Sequence, residues 1–119
     1  MSQLRGSPAA VLPEGQPNRI PAPGDPAFTV DSNRAFGIRF YPARGGFFLP
    51  YALLQSVNWT TESLSLNFTT DTVTIVGSRL HGLFVEIAEH RVNRIHAEPA
   101  GASEGNAAEV TEIIRLPRG

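Results

Sequence analysis

Apolar residues in the central part of this chain recur at every second position, in short runs punctuated by glycine and proline, and that rhythm is the strongest constraint on its fold. A strand points successive side chains to opposite faces, so such alternation describes β-strands buried on one side. Phe36, Ile38 and Phe40 alternate with Gly37, Arg39 and Tyr41, which predicts a strand carrying three apolar side chains on one face. Pro42-Ala43-Arg44-Gly45-Gly46 supplies turn chemistry, because glycine adopts positive φ cheaply and proline removes a ladder donor. A hairpin continuing into Phe47, Phe48 and Leu49 follows. Pro50 ends that strand, Tyr51 to Leu54 reads as a short helical turn, and Val57 and Trp59 return to alternation. Ser63 to Thr69 is a half-buried strand with Leu64, Leu66 and Phe68 inward, Thr70 and Asp71 make a tight turn, and Thr72 to Val76 is rich in the β-branched residues that suit a pleated surface.

At Gly77-Ser78 the period changes. Leu80, Leu83, Phe84 and Ile87 recur at helical spacing, and the pattern predicts one helix running to about Arg91 with Ser78 as its N-cap. Arg94 to Ala97 is expected as a strand, Pro99 to Asn106 as a loop of small residues, and Glu109 to Leu116 as a second strand returning beside the first. Val110, Ile113 and Ile114 in that last segment also fit a helical turn. The expected fold class is α+β, mostly β: an antiparallel meander forming a small β-roll or barrel of about six strands with one amphipathic helix, its connections being too short for parallel crossovers. The run from Leu49-Pro50-Tyr51 through Val57, followed by two strands and a helix, resembles the middle of bacterial pleckstrin-homology-like domains. That resemblance implies, as an alternative, a β-barrel capped by a helix. The hairpin expected after the helix departs from that family, in which the helix comes last.

Residues 1–27 hold six of the ten prolines among Gly, Ser, Gln and Asn, too little apolar content to offset ordering entropy, so a disordered leader before a single domain over 28–119 is the expectation. The chain is 41% hydrophobic but only 18% charged, against about a quarter in ordinary domains. An under-charged surface points to a face covered by a partner. A formal net charge of −1 excludes a whole-protein basic field, and all ten basic residues are arginine, a planar donor that keeps its proton. With no cysteine, disulfides, thiolate metal sites and cysteine nucleophiles are excluded. The first thirty residues show no secretory pattern and no apolar run is long enough to span a bilayer, so a cytoplasmic protein is expected. Asn58-Trp59-Thr60 and Asn67-Phe68-Thr69 match the glycosylation pattern, and are read as strand residues.

Three groups of residues bear on function. Phe47 and Phe48 are adjacent and point to opposite faces of one strand, so one requires cover beyond the core; with Tyr51 and Trp59 they are candidate interface anchors for a protein partner or a second copy. Arg39 and Tyr41 share a strand face with Arg44 at the turn beyond, a fork and ring able to hold a phosphate and stack a base, which makes nucleic acid or an anionic ligand the alternative. His81, Glu86, Glu89, His90 and His96 surround the helix, and Glu86 with His90 has a four-residue spacing able to present two metal ligands. They lack the spacing of zinc proteases and the clustered carboxylates of oxygen-ligand sites, so they are read as a solvated face. No phosphate-cradling glycine loop and no nucleophile elbow is present. The expectation is therefore a non-enzymatic interaction or assembly domain with no cofactor and no metal.

Overall fold

The computed structural model describes residues 21–22, 25–98 and 107–118. The expected disorder of the leader falls mostly on residues 1–20, and the expected loop on 99–106, both outside the described residues. Eight strands occur among the described residues: β1 (Phe28–Val30), β2 (Gly37–Tyr41), β3 (Phe47–Pro50), β4 (Leu54–Trp59), β5 (Ser63–Phe68), β6 (Asp71–Ser78), β7 (Val92–His96) and β8 (Glu109–Pro117). A 3₁₀ turn at Tyr51–Leu53 joins β3 to β4, and the helix α1 is His81–Ala88.

The strands form two four-stranded sheets, β1-β7-β2-β3 and β4-β5-β6-β8. The alternation works as expected in β5, where Leu64, Leu66 and Phe68 are buried and Ser63, Ser65 and Asn67 are half-exposed. Opposite them on β6, Val73 and Ile75 point inward. Ile38 and Phe40 of the first sheet meet this layer, and the rings of Phe40 and Phe68 touch edge to face at 6.3 Å. Leu80, Leu83 and Ile87 of the helix, with Val92 and Ile95 of β7, complete the core.

Several expectations are corrected. The α+β, mostly β class holds, but the sheets are not closed into a barrel, the strands among the described residues number eight where about six are expected, and β7 and β8 follow the helix, so neither a closed barrel nor the helix-capped pleckstrin-homology-like alternative describes the architecture. The returning strand β8 pairs with β6, from Asp71↔Pro117 to Ser78↔Glu109, and not with β7. The reason is geometric: β7 lies between β1 and β2, with both of its ladder edges taken. Its pairing with β2 is parallel, which short connections forbid between consecutive strands. Here the connection runs through β3, the 3₁₀ turn, β4, β5, β6 and the helix. Ser78 is not the N-cap, because pairing with Glu109 holds it in β6; Arg79 turns the chain at φ 55° and Leu80 occupies the cap position without a side-chain bond. The helix ends at Ala88, and His90, at φ 62°, redirects the chain into β7 short of the expected end.

Candidate functional site

The first sheet buries one face against the core; on the other, Arg94 and His96 of the central strand β7 are buried as well, and the exposed part lies on β2, β3 and the residue before β2. Along β2, Ile38 and Phe40 are fully buried while Arg39 and Tyr41 are half-exposed on the opposite side, as alternation requires. The β2–β3 register sets Phe48 directly across from Arg39. Gly37 makes room for the Phe48 ring, since a Cβ there would lie 2.5 Å from Phe48 Cζ and 2.7 Å from the Leu49 carbonyl oxygen. Phe36, expected on the buried face, instead lies just before the strand, where its carbonyl accepts the Tyr51 N–H at 3.0 Å and its ring turns outward. That ring stacks on Phe48 with centroids 5.9 Å apart and planes 15° from parallel. The Arg39 guanidinium carbon lies 5.6 Å from the Phe48 centroid. Phe36 is 78% exposed and Phe48 39%. The result is a platform of ring, ring and cation, which unites Phe48 from one expected set with Arg39 from the other.

Tyr41 extends the same face, with β7 setting His96 beside it. The two side chains and Pro21, Pro42 and Gly45 help line a cavity of about 290 Å³. His96 is buried, its Nε2 3.0 Å from the Glu98 carboxylate. Arg44 is exposed in the β2–β3 turn. A groove of about 550 Å³ that includes Ser32, Asn33, Arg34 and Arg91 lies just ahead of Phe36 in the chain.

Charge on this part of the chain is one-sided. Residues 32–61 contain Arg34, Arg39 and Arg44, seven of the ten aromatic residues and no carboxylate. None of the three arginines forms an ion pair with a described residue. Among the other described arginines, Arg79 pairs with Glu109 at 3.7 Å, Arg91 with Glu86 at 3.3 Å and Arg115 with Asp71 at 2.7 Å, while Arg118 donates to the Phe68 carbonyl at 3.2 Å.

The four expected interface aromatics do not form one surface. Phe47 packs on Phe40 at 4.9 Å on the core side, with Arg115 over it at 4.6 Å. Tyr51 is corrected from a surface anchor to a core residue: it is 5% exposed, its hydroxyl donates to the Val92 carbonyl at 2.8 Å, and its ring stacks on His90 at 4.4 Å. Burial pushes the Tyr51 phenol well above its ordinary range. Trp59 is 42% exposed on β4, in the other sheet, against His81 at 4.9 Å and Phe84 at 6.2 Å. The histidines and carboxylates around the helix are likewise dispersed: His81 faces Trp59, Glu86 pairs with Arg91, and His90 covers Tyr51. Among the described residues no three His, Asp or Glu side chains gather as a metal-holding group. Comparison with protein-family models, curated proteins and solved structures finds no match to this chain.

Proposed function

We propose that this chain is a non-enzymatic interaction domain whose docking surface is the outer face of the first sheet, centred on Phe36, Phe48 and Arg39. The observation that supports this reading is the exposure of Phe36 on a backing built for it. A phenylalanine ring gains about 1.5–3 kcal/mol on leaving water. The stack on Phe48, whose own ring occupies the space left open at Gly37, backs this ring in its outward position. Large aromatic side chains held rigidly at a surface are the residues that dominate binding energy in interfaces, because little conformational entropy is lost when they are covered. Trp59 with His81 and Phe84 offers a second exposed aromatic cluster in the other sheet, suited to self-association or a further protein contact. Among the described residues no helix is long and apolar enough to cross a membrane.

Hydroxyl-radical footprinting of the native chain inside the cells that produce it, set against the purified protein, tests the reading without knowledge of the partner. Phe36 and Phe48 are expected to oxidise readily in the purified protein and to be protected in the cell. Equal oxidation in both settings removes the basis for a docking role of this face.

A further inference from the structure

The rings of the platform carry the Arg39 cation beside them, with Arg44 in the turn of the same hairpin, and the combination selects a ligand. We propose that the outer face of the first sheet binds single-stranded nucleic acid: a base stacks on the open side of Phe36, Phe48 supports that ring from behind, and Arg39 and Arg44 hold flanking phosphates. The inference rests on the docking reading above and narrows it to one ligand class. Three observations carry it. The exposed ring lies flat against a second ring, which leaves a π face in solvent, and any base can stack on such a face once it is out of a duplex. Arg39, 5.6 Å from the Phe48 centroid, and Arg44, exposed in the turn of the same hairpin, form no ion pair with a described residue, while Arg79, Arg91 and Arg115 each pair with a carboxylate. Residues 32–61 themselves contain no carboxylate; other segments contribute Glu98, 3.0 Å from His96, and Glu89, in the groove with Arg34.

The alternatives fit less well. An apolar protein surface laid over the platform would strip water from Arg39 without supplying a charge in return. Duplex nucleic acid hides its base faces within the stack, so a single projecting ring has nothing to stack on. The net charge of −1 removes long-range attraction, so contacts are confined to the phosphates near Arg39 and Arg44, and association is expected to be salt-sensitive but modest in strength.

Fluorescence anisotropy of labelled pyrimidine oligonucleotides of about 12 residues, as DNA and as RNA, titrated with the purified chain at low and moderate salt, tests the proposal. Binding that Phe36→Ala weakens about 5- to 150-fold at unchanged melting temperature is the expected result, this being the range for loss of one base stack. The double variant R39Q/R44Q is expected to flatten the dependence of log affinity on log salt by about 1.4, two single-strand phosphate contacts at about 0.7 each. Preference for RNA over DNA assigns a contact to the 2′-hydroxyl, and equal binding assigns the ligand to bases and phosphates alone; both support the proposal. Binding that survives Phe36→Ala undiminished, or no binding of either oligonucleotide at low salt, overturns it. If neither oligonucleotide binds but Phe36 and Phe48 are still protected in the producing cells, the docking reading stands with a protein as its partner. If that protection is missing too, both readings fall.

Discussion

Gly37 lies directly beneath the ring of Phe48, so close that a methyl group at Gly37 would stand 2.5 Å from Phe48 Cζ. The platform therefore depends on a residue with no side chain as much as on those with rings. The Leu49 carbonyl oxygen and Pro50 Cα close the same space, each 2.7 Å from that methyl position, so there is no direction in which it can be accommodated without moving β3. Gly37→Ala is expected to destabilise the domain by about 1–3 kcal/mol, the usual cost of overpacking, and to separate Phe48 from Phe36. Urea unfolding measures the first effect, and loss of nuclear Overhauser contacts between the two rings measures the second.

Phe36 and Phe40 are four residues apart in sequence, yet one is 78% exposed and the other fully buried. Phe36→Ala is expected to change stability by no more than about 0.5 kcal/mol, as for other exposed positions, while Phe40→Ala costs about 3–5 kcal/mol through the cavity left against Phe47 and Phe68. Thermal and urea denaturation of the two variants side by side checks the contrast. A large loss of stability in Phe36→Ala would show that its ring is part of the core.

Tyr51 ties the 3₁₀ turn to β7 through its bond to the Val92 carbonyl. Tyr51→Phe removes that bond within the buried site and is expected to cost about 1–2 kcal/mol. Because burial raises the phenol above its ordinary value of 10.0, the folded state resists its ionisation. The stability this provides is complete below pH 10 and is lost as pH rises through the folded-state value. In an alkaline absorbance titration, the phenolate signal that disappears in Tyr51→Phe is expected only above the ordinary tyrosine range.

Asp71 is buried at the start of β6, and the Arg115 side chain, extending over Phe47, donates to its carboxylate at 2.7 Å. That bond, and next the one from Thr70, hold the Asp71 carboxyl below its ordinary value of 3.8. A lowered carboxyl contributes stability above the unfolded value and loses it as pH falls through the folded one. Arg115→Ala is expected to cost about 1–2 kcal/mol at neutral pH, between the worth of an exposed pair and a buried one, since the guanidinium is partly exposed. The gap between wild type and variant should narrow as pH drops below 3.8, which urea unfolding across the acid range measures.

Local structure was legible where one pattern acted alone. The strand at Leu64, Leu66 and Phe68, the turn at Pro42 to Gly46 and the helical face of Leu83 and Ile87 follow from alternation, turn chemistry and helical spacing, and each is present. Partnership between distant strands was not legible. Nothing in the residues around Arg94 to Ala97 announces that both edges of β7 are occupied, so the sequence alone suggests a hairpin with Glu109 to Leu116, where the structure pairs that segment with β6. The short strand Phe28–Val30 carries too few residues to show a period at all. At the candidate site, Arg39, Tyr41 and Phe48 were identified by residue type and alternation. Phe36 does not stand out as a surface residue because it continues the spacing of Ile38 and Phe40, and alternation does not show that the strand begins one residue later. The burial of Tyr51 is not legible for the related reason that an amphipathic ring beside a proline suits a surface as well as a core.

The central claim is that Phe36 and Phe48 form the binding face, and the direct measurement is the ring signals of isotope-labelled phenylalanine during titration with a uridine-rich oligonucleotide. Stacking of a base is expected to move the Phe36 ring resonances upfield, with smaller shifts at Phe48 and the Arg39 side chain and none at Phe68 in the core. Shifts confined to Trp59, His81 and Phe84, with the Phe36 ring unmoved at saturation, would contradict it.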